Sequence, residues 1–428
     1  MKKKLWMIFG PILVAGFIFL FILFGPSAIF GGVSEQAVSD GATSMSPAVV
    51  GGEKIQRTAF ESDKYLPIFG SSELSRIDPL HPSVFAKKYK TGYTPFLIGR
   101  PGTQSLYHYL DINMLEKELK NRKVVFILSP QWFQPKGVDD NHFGATFSPI
   151  QAYTFALQDE KETPERRYAA RRLLSFKVVQ NDATLSKLLE NIATLGPNKP
   201  HSPFLTKRAG EIQYRVLKRK DELQSKFVTG SKQAKINKEV KQLPDNPDFE
   251  ELDEFAKSLG EKQTDNNEFH VKNHYYNKKI KPIEEKLKNS RKDLSYVKSP
   301  EYDDLQLVMD AFKKVHADVL FVNPPINREW TDFIGMDPDA LHKYYEKSEA
   351  QVKKNGFKYL SLEEYSDASY FLEDPIHLSW RGWVQVDKSL THFMKEPLPV
   401  HYPKTDPKYY FKKQPLQKNL KQELKKKN

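Results

Sequence analysis

Cysteine is absent from the 428 residues of the chain. No disulfide can staple the fold, so stability has to come from an apolar core. The same absence rules out a cysteine nucleophile and every thiolate metal site. No internal repeat is evident. No basic–aromatic motif of the kind that binds nucleic acid is present, so nucleic acid is not an expected partner. His270 and His274 have the helical spacing of a metal pair, but no third ligand is evident and they read as surface histidines. No metal and no cofactor is expected.

Charge is missing from one long stretch. Leu5 to Phe24 passes without an ionisable side chain, directly after Lys2, Lys3 and Lys4. An apolar run of about 20 residues can cross a hydrocarbon core of roughly 30 Å. A cleaved signal peptide has an apolar region of only about 7–15 residues, although Ser27-Ala28 offers small residues to a peptidase. The expected arrangement is an uncleaved transmembrane signal-anchor over 5–24. Residues 1–4 then stay cytoplasmic by the positive-inside rule, and the main domain is extracellular at the cell membrane. Residues 25–60, rich in Gly, Ser, Ala and Val up to Gly52, read as a tether.

The formal net charge is +12. Lysines crowd residues 401–428, above all from Lys412 to Lys427, where apolar side chains are few. A basic tail of this kind is a solvated end, or it is attracted to an anionic surface or polyphosphate polymer.

Short continuous apolar runs occur at Tyr65–Phe69, Pro95–Ile98, Val124–Leu128, Val319–Val322 and, more weakly, Tyr359–Leu362. Continuous runs, unlike alternating ones, suit strands covered on both faces. Helical patterns separate them, including Ser105 to Leu119 and a helix opened by Ser299-Pro300, with Leu305, Val308, Phe312 and Val315 on one face. The expectation is an α/β fold with a parallel sheet and helices on both faces. Its core is 61–150 and 300–400, interrupted by a helical insertion over 151–299.

Ligands of such sheets bind beyond the carboxyl ends of the strands. Those ends carry Gly70-Ser71-Ser72-Glu73, Gly99-Arg100-Pro101-Gly102, Ser129-Pro130-Gln131-Trp132 and Asn323-Pro324-Pro325. Asp374-Pro375-Ile376-His377 stands before an amphipathic helix with Trp380 and Trp383. Trp132, Trp380 and Trp383 read as packing residues.

This combination resembles the SGNH (GDSL-type) hydrolases, which implies a three-layer, flavodoxin-like sheet. The resemblance assigns Ser72 as nucleophile, His377 as base and Asp374 as its orienting acid. Gly102, with Gly99 as its alternative, takes the place of the oxyanion glycine. The family's usual Asn after strand three is replaced, and Gln131 offers an equivalent amide there. Ser71 stands where the motif has Asp. A serine hydroxyl needs such a base within hydrogen-bond reach, itself oriented by a third group.

More narrowly, the chain resembles the DltD family of membrane-anchored teichoic acid D-alanylation proteins. The residues that carry this are Phe69 to Arg76, Ser129 to Phe133, Val322 to Pro325 and Glu373 to Ser379. The resemblance implies esterification of lipoteichoic acid with D-alanine by a serine acyl-transferase or thioesterase. It also implies partners among the other Dlt membrane proteins, including the O-acyltransferase. Two other readings stay open. One is a non-catalytic adaptor that presents a D-alanyl carrier or polymer to that enzyme. The other is a cell-envelope carbohydrate O-acetyl esterase, since a fold does not fix the acyl group.

Overall fold

The structure is a computed structural model that describes residues 2–26, 29, 32–160, 163–194, 204–399, 401–406 and 408–413. The five apolar runs form five strands: β1 Tyr65–Phe69, β2 Thr94–Ile98, β3 Lys123–Ile127, β4 Asp318–Asn323 and β5 Lys358–Ser361. They pair in parallel in the order β2-β1-β3-β4-β5. That order is the doubly wound one of flavodoxin-type sheets, with its switch point between β1 and β3.

Successive side chains of a strand point to opposite faces, and both faces are covered. Phe69, Phe96, Val124, Phe126 and Phe321 pack in one cluster with helices Ser105–Met114 and Glu301–Lys314. Leu66, Ile68, Leu97, Val125, Ile127 and Val322 pack in the other with helices Pro82–Tyr89 and Trp380–Phe393. Trp132, Trp380 and Trp383 are buried packing residues of these layers. Helix Glu301–Lys314 begins one turn residue later than the Ser-Pro signal, with Ser299 Oγ accepting from the Glu301 N–H at 3.1 Å.

The described part of 151–299 is largely helical but is not a separate layer. Ala152, Leu173 and Leu189 belong to the first cluster, whereas Ile236, Leu252 and Ala256 belong to the second. It clothes both faces of the sheet.

Two boundaries need correction. The expected tether, 25–60, carries helices Glu35–Gly41, Pro47–Val50 and Lys54–Phe60. Ala42, Val49, Ala59 and Phe60 are buried in the core. Small residues here serve close packing, as where a Cβ on Gly41 would meet Ile55 Cγ2 at 2.6 Å. The expected tail also starts too early. The Tyr402 hydroxyl donates to Ala317 O at 2.6 Å and Tyr410 to Asp310 Oδ2 at 2.7 Å, so both tyrosines are docked on the core. Residues 414–428 lie outside the described residues.

Lys2–Phe24 forms a 23-residue helix. Trp6, Ile12, Leu13 and Phe17 on it are exposed. Several of its side chains are outside the description, and no described helix is long and apolar enough to cross a membrane.

Candidate active site

The loop after β1 is built around Gly70. Its N–H donates to Ile98 O at 3.0 Å, and its carbonyl accepts from Thr103 Oγ1 at 2.8 Å and His108 Nε2 at 2.9 Å. His108 is fully buried, and burial pushes its imidazole down to about 3, so it is a neutral donor. Gly99, on the facing loop, has φ +142°, and a Cβ there would lie 1.9 Å from Gly70 O. Only glycine lets the two loops touch.

Ser71 and Glu73 brace the turn. Glu73 Oε1 accepts from the Ser71 N–H at 2.5 Å and Oε2 from Ser71 Oγ at 2.7 Å. Burial raises the Glu73 carboxyl against these bonds. The brace leaves Ser72 at the head of a short 3-10 helix, Ser72–Ser75. An N–H in that position has no carbonyl partner within its helix.

Ser72 Oγ stands 2.6 Å from His377 Nε2. His377 Nδ1 lies 2.8 and 2.7 Å from the two Asp374 oxygens. Asp374 Oδ1 also accepts the N–H groups of Ile376 and His377, each at 3.1 Å, so the Asp-x-x-His spacing closes a turn on its own side chain. Burial alone would raise the Asp374 carboxyl. The His377 charge, these hydrogen bonds and Arg76 hold it below its ordinary value instead. In the neutral tautomer that donates Nδ1–H to Asp374, Nε2 turns its lone pair toward Ser72 Oγ. Ser72 and His377, 305 positions apart in sequence, meet here.

Gly102 and Gln131 line a cavity of about 180 Å³ together with Ser71 and Trp132. Gly102 has φ +93°, and a Cβ there would meet nothing closer than 3.6 Å. Its backbone, and not crowding, calls for glycine. Gly99 does not line this cavity. His270 packs edge-on against Tyr370, with ring centroids 6.0 Å apart, and His274 is exposed.

Sequence comparison bears on this arrangement. A profile described as DltD protein matches residues 42–395, which include Ser72, Asp374 and His377. Protein DltD of Lacticaseibacillus rhamnosus is 40% identical over 418 residues, covering 95% of this chain and 96% of its own. Protein DltD of Bacillus subtilis (strain 168) is 35% identical over 396 residues, covering 92% and 98%. Protein DltD of Staphylococcus aureus is 32% identical over 394 residues, covering 91% and 97%. The chain belongs to the DltD family.

In this DltD-family chain, three charged residues pack around the Asp374 and His377 segment without having been assigned any role from sequence. Arg76 Nη1 pairs with Glu373 Oε1 at 3.0 Å, and Nη2 lies 3.5 Å from Asp374 Oδ2. Lys272 pairs with the other Glu373 oxygen, and its N–H donates to Glu373 O at 2.8 Å. Arg76 and Glu373 stand inside two of the four motifs that carry the DltD resemblance. Their tight spacing to Ser72 and Asp374 was the available signal. Lys272 comes from the 151–299 stretch and gave none.

Proposed function

We propose that the chain is an extracytoplasmic serine acyl-transfer protein that esterifies lipoteichoic acid with D-alanine. The observation that carries this reading is the continuous relay from Ser72 Oγ through His377 to the Asp374 carboxylate. Membership of the DltD family supports the choice of acyl group and polymer.

In the proposed cycle Ser72 Oγ attacks the carbonyl of a D-alanyl donor while His377 Nε2 takes the hydroxyl proton. Asp374 fixes the imidazole tautomer and stabilises the cation that forms. The carbonyl oxygen gains negative charge and is met by the N–H groups of Ser72 and Gly102 and by the Gln131 amide. His377 then returns the proton to the departing group, leaving D-alanyl-Ser72. A hydroxyl of the polymer attacks that ester, gives its proton to His377 and departs as the D-alanyl ester, with Ser72 reprotonated. No metal or cofactor enters these steps.

The apolar run Leu5–Phe24 is the proposed membrane anchor, with Lys2–Lys4 on the cytoplasmic side. Arg219, on helix Phe204–Gln224, donates to the carbonyl oxygens of Leu23 and Gly25 at its other end. The catalytic domain would therefore sit close to the outer membrane face, within reach of the membrane O-acyltransferase and other Dlt proteins proposed as partners.

Intact-mass measurement on the purified protein with a D-alanyl thioester tests this reading. One D-alanyl group should appear on the wild type and none on Ser72→Ala. An adaptor would bind the thioester and gain no mass.

A further inference from the structure

The cavity lined by Ser71, the neighbour of Ser72 in sequence, contains more than the proposed oxyanion donors. Besides Gly102 and Gln131 it is lined by Gln104, Gln134, Asp139 and His142, and among the described residues no Lys or Arg lines it. At about 180 Å³ it is smaller than the roughly 300–1,000 Å³ of sites for drug-sized ligands, so it suits a group of a few heavy atoms.

Three of its polar side chains, Gln104, Asp139 and His142, can accept hydrogen bonds. Gln104 Oε1 is buried and has no hydrogen-bond partner among the described residues. A buried acceptor left unmade costs free energy that a ligand N–H recovers. Asp139 caps helix Asp140–Thr146, its Oδ1 accepting the N–H groups of Asn141 at 2.8 Å and His142 at 3.0 Å. The other oxygen, Oδ2, is 2.6 Å from His142 Nδ1. The His142 backbone N–H, foremost among these partners, holds the Asp139 carboxyl below its ordinary value. In the neutral tautomer that donates Nδ1–H to this carboxylate, His142 Nε2 has a lone pair with which to accept a hydrogen bond. The imidazole is close to the oxyanion loop: a Cβ on Gly102 would meet His142 Cδ2 at 3.8 Å.

We infer that this cavity is a binding site for the α-ammonium of the acyl group, with Gln104 Oε1 and His142 Nε2 accepting its N–H bonds and Asp139 supplying the opposite charge. The inference rests on the acyl-transfer reading of Ser72 and adds the basis of acyl selectivity. An α-aminoacyl group brings three donors and one positive charge to a site that has acceptors and one negative charge. An acyl group of the same shape without nitrogen leaves Gln104 Oε1 unsatisfied and the ion pair unmade, which is how polar sites reject apolar analogues.

The test compares D-alanyl-pantetheine with isobutyryl-pantetheine, in which a methyl replaces the ammonium. The full chain is used in detergent, and kcat/KM is measured for each thioester. Wild type should favour D-alanyl by about tenfold or more. Gln104→Leu, His142→Leu and Asp139→Asn should each bring the ratio of the two constants down severalfold toward one. A structural role would lower both constants together and leave the ratio unmoved, and an unmoved ratio overturns the inference. Equal use of the two thioesters by wild type overturns it as well. Ser72→Ala separates the levels: if it still turns over either thioester, the acyl-transfer reading has failed and not the pocket assignment alone.

Discussion

Arg76 Nη2 lies 3.5 Å from Asp374 Oδ2, joining the segment that carries the serine to the one that carries its base. The same guanidinium holds Glu373 at 3.0 Å, so both carboxylates before His377 are fixed from the β1 side. Arg76 is a positioning residue. Its charge contributes to holding the Asp374 carboxyl low, and its removal raises that carboxyl. Arg76→Met is expected to lower kcat by about tenfold, with KM little changed, and to move the acid limb of the pH–rate profile upward. Arg76→Lys should restore part of the rate, because it keeps the charge and loses the paired geometry. A profile for Arg76→Met that overlays wild type would remove Arg76 from this role.

Gly99 and Gly102 both have positive φ, yet their alanine variants should fail differently. At Gly99 the new Cβ would strike Gly70 O at 1.9 Å, which no rotamer change relieves. Gly99→Ala should destabilise the whole domain and lower Tm. At Gly102 there is room, and the cost is backbone strain on the order of 1–3 kcal/mol. Gly102→Ala is expected to fold and to acylate slowly. Thermal unfolding beside single-turnover acylation distinguishes the two patterns.

Gln131 is proposed to supply an oxyanion donor through its side chain. Gln131→Ala should reduce the acylation rate by roughly 10²-fold and leave Tm within a degree or two of wild type. A rate within twofold of wild type would leave the oxyanion to backbone groups alone.

Asp387 is buried in helix Trp380–Phe393, and neither carboxylate oxygen has a hydrogen-bond partner among the described residues. Burial, and after it the Asp78 charge, raise its carboxyl well above the ordinary value. A group raised on folding contributes stability below its unfolded pKa of about 3.9, and this is lost as pH rises toward the folded value. The loss is about 1.4 kcal/mol for each pH unit crossed. Asp387→Asn is expected to raise Tm at pH 7 and to give no gain near pH 4. Melting curves across that range check the sign, and a gain that grows toward pH 4 would contradict it.

Most of the sheet could be read from sequence because β1 to β4 are covered on both faces, which forces near-continuous apolar runs. The weaker signal at β5 has a physical origin: Lys358–Ser361 is only half-buried at the sheet edge. The positions of Ser72, Asp374 and His377 were readable because strand ends and a local Asx turn fix them. Lys272 was not, since its pairing with Glu373 exists only after the 151–299 stretch has packed against the site. Small residues misled over 25–60. Gly and Ala suit a flexible tether and a close helix contact equally, and only tertiary packing separates the two. Lysines likewise masked Tyr402, Tyr409 and Tyr410, whose hydroxyls find Ala317, Asp303 and Asp310 on the core.

The most direct measurement is the D-alanine ester content of lipoteichoic acid in cells whose only copy carries Ser72→Ala, with membrane levels of the variant checked alongside. Loss of the esters with the protein at normal abundance is the expected result. Esters at wild-type level with an abundant Ser72→Ala protein would contradict a nucleophilic serine and leave the chain as an adaptor.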